Sequence, residues 1–315
     1  MTRTLAVLMD PIGSIHPEKD TTLALLLEAQ RRDYRIRYLT QGDLAVRNGH
    51  AVARMAPLEV RDDHADWFVL GEPEWVEFRG IDIVLARKDP PFDTQFLYDT
   101  LVLELAARDG AQVVNAPQAL RDANEKLYSL HFPQCTPPTC VARDAEVLRD
   151  FVKAQREVVL KPLDGMGGRG IFRTRAGDDN LNAIIETVTG NGARFAVVQR
   201  YIPEIVDGDK RILVIDGVPV PYALARIPQH GDFRGNLAAG GKGVGVPLTP
   251  RDRWIAAEVG PDLVRRGIRF AGLDVIGDWL TEVNVTSPTC ARELDAAFGL
   301  NIAGLLFDRL ERTGA

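Results

Sequence analysis

The sequence predicts an α/β protein that opens on a parallel sheet, and three observations carry that prediction. The chain has 315 residues, 45% hydrophobic and 26% charged. That composition supports a packed core, and at ~150 residues per domain it suggests about two domains or a few small ones. The first forty residues read as strand, helix, strand, an opening that belongs to parallel sheets. Short apolar runs then alternate with amphipathic segments towards the C-terminus.

Taken in order, Leu5–Met9 is an apolar run closed by Asp10-Pro11 and is predicted to be a buried strand. Asp20 can cap a helix over Thr21–Arg31, with Leu23, Leu26, Leu27 and Gln30 on one side. Tyr34, Ile36 and Tyr38 alternate with Arg35 and Arg37, the period of a strand with one wet face. Residues 41–80 are polar and broken by Gly49, Pro57, Gly71 and Pro73, and read as weak strands and loops. Ile81–Ala86 is a strand that Pro90 and Pro91 stop from continuing as helix. A helix over Thr94–Arg108 and a short strand, Val113–Asn115, complete a small doubly wound unit ending near residue 122.

Asp122–Leu130 reads as helix, and Pro133, Pro137 and Pro138 mark a crossover. Ala145–Gln155 is a helix and Val158–Lys161 a strand, followed by the glycine-rich loop Gly165–Gly170 and strand Ile171–Arg173. Leu181–Val188 is a helix, and strand Phe195–Val198 runs into Gln199-Arg200-Tyr201-Ile202. Asp216-Gly217 between Lys210–Ile215 and Val218–Ala225 signals a hairpin. Residues 228–247 are rich in glycine and read as a long irregular stretch, of the kind that acts as a lid. Helix Arg251–Arg266, strands Leu273–Ile276 and Leu280–Val285, and helix Ile302–Arg312 close the chain.

Lys plus Arg is 38 against 44 for Asp plus Glu, a net charge of −6. This lacks the basic footprint of sequence-independent nucleic-acid binding, though it allows a local pocket for a small anion. No apolar run approaches the ~20 residues of a membrane helix, and the N-terminus lacks a signal-peptide pattern. Cys135, Cys140 and Cys290 are odd in number and spread, and the histidines show no ligand spacing. Neither a disulfide framework nor a zinc site is predicted, and a reducing cytoplasm is the expected compartment.

Four clusters bear chemistry. Gly165, Gly167, Gly168 and Gly170 follow Lys161-Pro162. Glycines let backbone N–H groups approach phosphate oxygens, and Lys161 adds a point charge. The Walker pattern is absent, and the loop runs into a strand where a dinucleotide fingerprint would open a helix. Glu282 and Asn284 lie two apart on a strand, so both face one way, an oxygen pair suited to a hard cation. For Asp274 to join them the connection must be three residues long or contain a bulge, since a two-residue Gly277-Asp278 turn sets Asp274 opposite Thr281. Arg211 and Arg226 sit on the two strands of one hairpin, beside Asp209, and can fork onto carboxylate or phosphate. Asp10, Arg87, Lys88 and Asp89 follow strand ends, the edge where open α/β sheets bind ligands. Taken singly, each cluster also reads as ordinary turn or surface chemistry. Their order along the chain suits an enzyme that binds MgATP without a Walker loop.

These residues closely resemble the bacterial glutathione synthetases of the ATP-grasp superfamily. The resemblance lies in Val7–Pro11, Arg87-Lys-Asp-Pro-Pro-Phe-Asp93, Asn124-Glu-Lys-Leu127, Lys161-Pro-Leu-Asp-Gly-Met-Gly-Gly168 and Asp207-Gly-Asp-Lys-Arg211. It continues through Ala225–Pro228, Gly235–Gly241 and Gly272–Asp274 to Glu282-Val-Asn-Val-Thr-Ser-Pro288, nearly the whole chain. It implies an ATP-grasp fold of three domains: an N-terminal doubly wound parallel-sheet (pre-ATP-grasp) domain, 1–122, a central lid domain, 123–202, and a C-terminal catalytic domain, 203–315. It implies ATP and two Mg2+ ions, with Mn2+ as a substitute, and ligation of γ-glutamylcysteine to glycine through an acyl phosphate. Lys126 and Lys161 are then expected on the phosphates, Gln199, Arg200, Tyr201 and Ile202 around adenine, and Asp209 near the ribose. Asp274, Glu282 and Asn284 are expected to hold the metal, and Arg211 and Arg226 to meet the substrate or the transferring phosphate. Gly165–Gly168 and residues 228–247 are expected to be mobile loops, and Ser287 and Thr289 to lie near glycine. The family also implies a homo-oligomer, a tetramer by analogy. Two departures from the family strings, Arg169 and Arg200, leave the resemblance intact.

Overall fold

A computed structural model of the chain describes residues 2–235, 237 and 240–313. The first sheet begins with strand β1 (Thr4–Met9), helix α1 (Thr21–Arg31) and strand β2 (Arg35–Leu39). Asp20 caps α1 by accepting a hydrogen bond from the Leu23 N–H. β3 (Leu44–Arg47), β4 (His50–Val60), β5 (Phe68–Leu70) and β6 (Glu74–Glu77) follow, then β7 (Ile83–Arg87), α2 (Thr94–Arg108), β8 (Gln112–Val114) and α3 (Pro117–Asp122). β2, β1, β7 and β8 pair in parallel, while β4 adds to β2 antiparallel and carries β3, β5 and β6. Helix α1 packs on one face through Leu23 and Leu26, and α2 and α3 on the other through Leu103 and Leu120, as a doubly wound sheet requires. The stretch 41–80 is thus more regular than its composition suggested. β4 runs eleven residues despite Pro57, because the Pro57 carbonyl still accepts from the Gly71 N–H.

The second sheet is antiparallel, in the order β11-β10-β12-β9. Its elements are β9 (Thr139–Ala142), α4 (Ala145–Gln155), β10 (Glu157–Pro162), β11 (Phe172–Arg175), α5 (Leu181–Thr189) and β12 (Ala196–Arg200). Val158, Leu160, Ala196 and Val198 face α4 and α5 in an apolar cluster. The alternate residues Val159, Lys161, Val197 and Gln199 therefore face away from the helices.

The third sheet is antiparallel, in the order β15-β14-β13-β16-β17. It comprises β13 (Asp209–Ile215), β14 (Val218–Ile227), β15 (Lys242–Pro247), α6 (Pro250–Arg265), β16 (Phe270–Ile276) and β17 (Trp279–Asn284), and α7 (Ala291–Phe298) and α8 (Ile302–Thr313) end the chain. The β13–β14 turn places Asp216 at φ 48° and Gly217 at φ 77°, the left-handed pair expected of Asp-Gly. Ile212, Val214, Leu273 and Val283 pack with α6 residues Ile255, Val259 and Leu263. On the opposite face Leu213, Ile215 and Phe270 join the core under β1 and α1.

Several expectations are corrected. Asp122–Leu130 is not one helix: α3 ends at Asp122, and Asn124 folds the chain into a turn by accepting from the Lys126 and Leu127 N–H groups. Residues 228–247 are not irregular throughout, since 242–247 form β15 against β14. Asn236, Ala238 and Ala239 of that stretch lie outside the described residues. Strand β9 and helix α7 were not anticipated at all.

Candidate active site

Register alone gathers the polar groups of the third sheet. Asp209 pairs with Arg226, Arg211 with Asp274, and Asp274 with Glu282. Directly opposed residues share a face, as do residues two apart, so Arg226, Asp209, Arg211, Asp274, Glu282 and Asn284 all project the same way. Glu282 does so because of a bulge. Val275 opposes Leu280, yet Asp274 opposes Glu282, which leaves Thr281 as the extra residue. With a flush ladder Glu282 would face the apolar α6 side. The bulge anticipated from the two-residue turn is present.

Two arginines clamp Asp274. Arg211 donates from Nε at 2.5 Å and Nη2 at 2.9 Å, and Arg226 Nη2 lies 2.8 Å away. Burial opposes ionisation, but the two guanidinium groups outweigh it and hold the Asp274 carboxyl far below the carboxylate range. Arg226 also donates to the Asp209 carboxylate at 2.5 Å. Asp209 is pushed up to about 6, because burial wins over that single partner and Asp274 repels it. Its Oδ1 is sealed and has no partner.

Across the cleft stand the two lysines. Lys161 on β10 donates to Glu282 Oε1 at 3.2 Å, and Lys126 lies 3.7 Å from the same oxygen. Burial works against the Glu282 charge, but the lysines hold its carboxyl below the usual range. Lys126, 4% exposed, also pairs with Glu125 and donates to the Gly165 carbonyl at 2.8 Å. Its ammonium is raised despite burial by Glu282 and Glu125. One lysine thus ties the glycine loop to the acidic strand. Gly165 packs so closely that an added Cβ would lie 2.7 Å from Pro162 Cγ.

The cavity between the second and third sheets measures about 320 Å³. Lys126, Lys161, Gly165, Gly167 and Gly168 line it, as do Gln199, Arg200, Tyr201 and Ile202. So do Asp209, Arg211, Arg226, Glu282, Asn284, Ser287 and Thr289. Three anticipated residues do not reach its wall. Asp274 is behind its arginines, 2% exposed. Arg87 is buried, donating to Thr22 Oγ1 and the Pro288 carbonyl. Asp10 accepts from the Asp89 N–H and from Lys88, and it is Asp89 that borders the cavity. Residues not singled out also line the wall: Glu125, Cys290, and Arg234, whose Nη1 donates to the Gly168 carbonyl at 3.1 Å. Glu125 was legible in Asn124-Glu-Lys-Leu127, but adjacency gave no sign that it would pair with Lys126.

The donor set suits a hard divalent cation in part. Glu282 and Asn284 offer a carboxylate and an amide oxygen, with Asn284 Nδ2 turned towards the Gly272 carbonyl at 3.4 Å. Asp274 already accepts from two arginines, so it has less to give. Among the described residues no group of three His, Cys, Asp or Glu forms a metal site. The remaining ligands would be phosphate oxygens and water.

Two family models match the chain, the N-terminal domain of prokaryotic glutathione synthetase over residues 4–121 and its ATP-grasp domain over residues 125–299. The glutathione synthetase of Xanthomonas campestris pv. campestris is 63% identical over 99% of this chain and 98% of its own. That of Xanthomonas axonopodis pv. citri is 62% identical over the whole of both. Among solved structures, D-cycloserine synthetase DcsG superposes with a TM-score of 0.67 over 98% of this chain and 99% of its own, at 17% identity, a likeness of fold alone.

Proposed function

Because the chain belongs to the prokaryotic glutathione synthetase family, we propose that this cleft performs the family reaction with the residues described above. The enzyme is an ATP-dependent ligase that joins γ-glutamylcysteine to glycine, giving glutathione, ADP and phosphate. A carboxylate resists attack by an amine because its charge repels the nucleophile and oxide is a poor leaving group. Transfer of the γ-phosphoryl group to a carboxylate oxygen forms an acyl phosphate and releases ADP. The glycine nitrogen then attacks the carbonyl carbon, the C–O bond to phosphate breaks, and the nitrogen loses its proton.

Such a transfer needs positioning and neutral charge more than an acid or base. In our reading Lys126 and Lys161 bind the nucleotide phosphates, Gly165–Gly168 close over them, and Gln199–Ile202 take adenine, with Asp209 near the ribose. Arg211 and Arg226 stabilise the transferring phosphoryl group and then the tetrahedral oxyanion, and Asp274 keeps both guanidinium groups aimed. Arg87 and Asp10 hold the γ-glutamyl end through the segment around Pro288 and Asp89, and Ser287 and Thr289 lie near glycine. ATP and divalent metal use follow from the family. We propose Mg2+, two ions, replaceable by Mn2+, held by Glu282 and Asn284 with Asp274 behind; the metal would neutralise phosphate charge. Cytoplasmic location, a tetramer, and domain limits at 122 and 202 are parts of the same proposal. Each span contains one of the three sheets, and no helix among the described residues is long and apolar enough to cross a membrane.

One observation carries the reading: Glu282 Oε1 faces the ammonium groups of both Lys161 and Lys126 across the cleft. Glu282→Gln should lower glutathione formation by ~100-fold or more, with the circular dichroism spectrum unchanged. Full activity in that variant would refute the role.

A further inference from the structure

The bulge in β17 decides which way Glu282 points, and one side chain closes that bulge. In a regular strand, neighbouring residues face opposite sides and the N–H groups along one edge recur every second residue. Here Thr281 and Glu282 are consecutive, yet both line the cavity. β17 ends its sheet, and its outer edge is pinned by the segment that carries Lys126. The Leu280 N–H donates to the Cys135 carbonyl and the Val283 N–H to the Glu125 carbonyl, both at 2.8 Å. The interval from Leu280 to Val283 is one residue longer than a regular edge allows, and Thr281, the extra residue, lies inside it.

A bulge disrupts the ladder at its extra residue. On the inner edge the contact there comes from a side chain, since Thr281 Oγ1 lies 3.1 Å from the Asp274 carbonyl oxygen. A carbonyl oxygen can only accept, so the hydroxyl donates. Thr281 is 6% exposed and Asp274 2%, so loss of the hydroxyl would leave a buried acceptor short of a partner. The arrangement that competes with the bulge is a flush ladder, with Glu282 turned to the face of Leu273, where Ile255 and Val259 of α6 pack. The bond also ends on the residue whose carboxylate Arg211 and Arg226 clamp. A single hydroxyl therefore ties the acidic strand to the arginine side of the cleft.

We propose that Thr281 is a positioning residue for the divalent cation: its hydroxyl locks the bulge, and the locked bulge presents Glu282, with Asn284 two residues on, to the metal. Thr281 acts only through Glu282. The inference rests on the assignment of the metal to Glu282 and Asn284.

The test compares the wild type with Thr281→Val, which keeps the branched shape and removes the hydroxyl, and Thr281→Ser, which keeps the hydroxyl. Mn2+ is titrated onto the whole enzyme in the presence of ADP, and free Mn2+ is followed by electron paramagnetic resonance. Thr281→Val should bind Mn2+ about 10-fold more weakly. The Mg2+ concentration for half-maximal turnover should rise by a similar factor, with a smaller fall in kcat at saturating Mg2+, and Thr281→Ser should restore both. A merely structural role would lower the urea midpoint and leave Mn2+ affinity unchanged, which overturns the inference. An equal loss of affinity in Thr281→Ser overturns it as well. If Thr281→Val does not fold, Thr281→Ala takes its place with the same expected loss. If neither folds, a crystal structure of the wild type with Mg2+ and ADP decides: Oγ1 on the Asp274 carbonyl with Glu282 on the cation supports the inference, and Oγ1 turned away from that carbonyl overturns it. Glu282→Gln is the control, and wild-type Mn2+ affinity in that variant would defeat the metal assignment itself, and the inference with it.

Discussion

At Asp262 three donors converge on one carboxylate on α6. Tyr128 Oη donates at 2.7 Å and Arg266 Nε at 2.8 Å, and Arg265 pairs with it as well. Burial opposes its charge, but the Tyr128 hydroxyl and the two arginines bring it down to about 2 from an ordinary 3.8. The contact anchors the turn that delivers Lys126, two residues before Tyr128. A folded pKa below the unfolded one contributes stability that is present above about pH 4 and lost as pH falls through about 2. Asp262→Asn should therefore cost about 1–2 kcal/mol at pH 7 and flatten the acid limb of the stability curve, measured by urea unfolding between pH 7 and pH 2.5. An unchanged acid limb would contradict this. Residue placements set by spacing were legible in the sequence: Glu282 and Asn284 share a face because strands have a period of two. The clamp on Asp274 was not, because it depends on Arg211 and Arg226 arriving from neighbouring strands.

Among the elements, those with local signals were read closely. Asp20 and Asp144 cap α1 and α4, and both helices begin where those caps require. Elements that exist only through a partner were missed. The glycines of β15 give no strand pattern, yet six residues pair with β14 because its edge is otherwise open. Described residues of the stretch before β15 lie over the cleft: Phe233 and Leu237 border the cavity, and Arg234 reaches the glycine loop. An acyl phosphate hydrolyses if water reaches it, so this loop is expected to act as a lid. Replacing 229–240 with a few glycines should leave ATP binding intact and raise phosphate release above one per glutathione. Coupling that stayed at one to one would count against the lid.

Across the whole molecule, one face of β13 does two jobs along the strand. Asp209 and Arg211 meet the cleft, while Leu213 and Ile215, further along the same face, enter the core shared with the first sheet. Asn115 joins the two units: its amide donates to the Phe270 and Val285 carbonyls and accepts from the Arg269 and Phe270 N–H groups. The order of the motifs was legible because each motif is local. How the regions face one another was not, because Asn115 and the Glu282–lysine contacts span long stretches of chain. In the proposed reaction, cations gathered in this cleft let a carboxylate take up a phosphoryl group before an amine attacks. The most direct measurement supplies γ-glutamylcysteine labelled with 18O in the reacting carboxylate, together with ATP and glycine, and follows the label by mass spectrometry. One 18O should pass into inorganic phosphate for each glutathione formed. Phosphate free of label, or glutathione formed without ATP, would contradict the account.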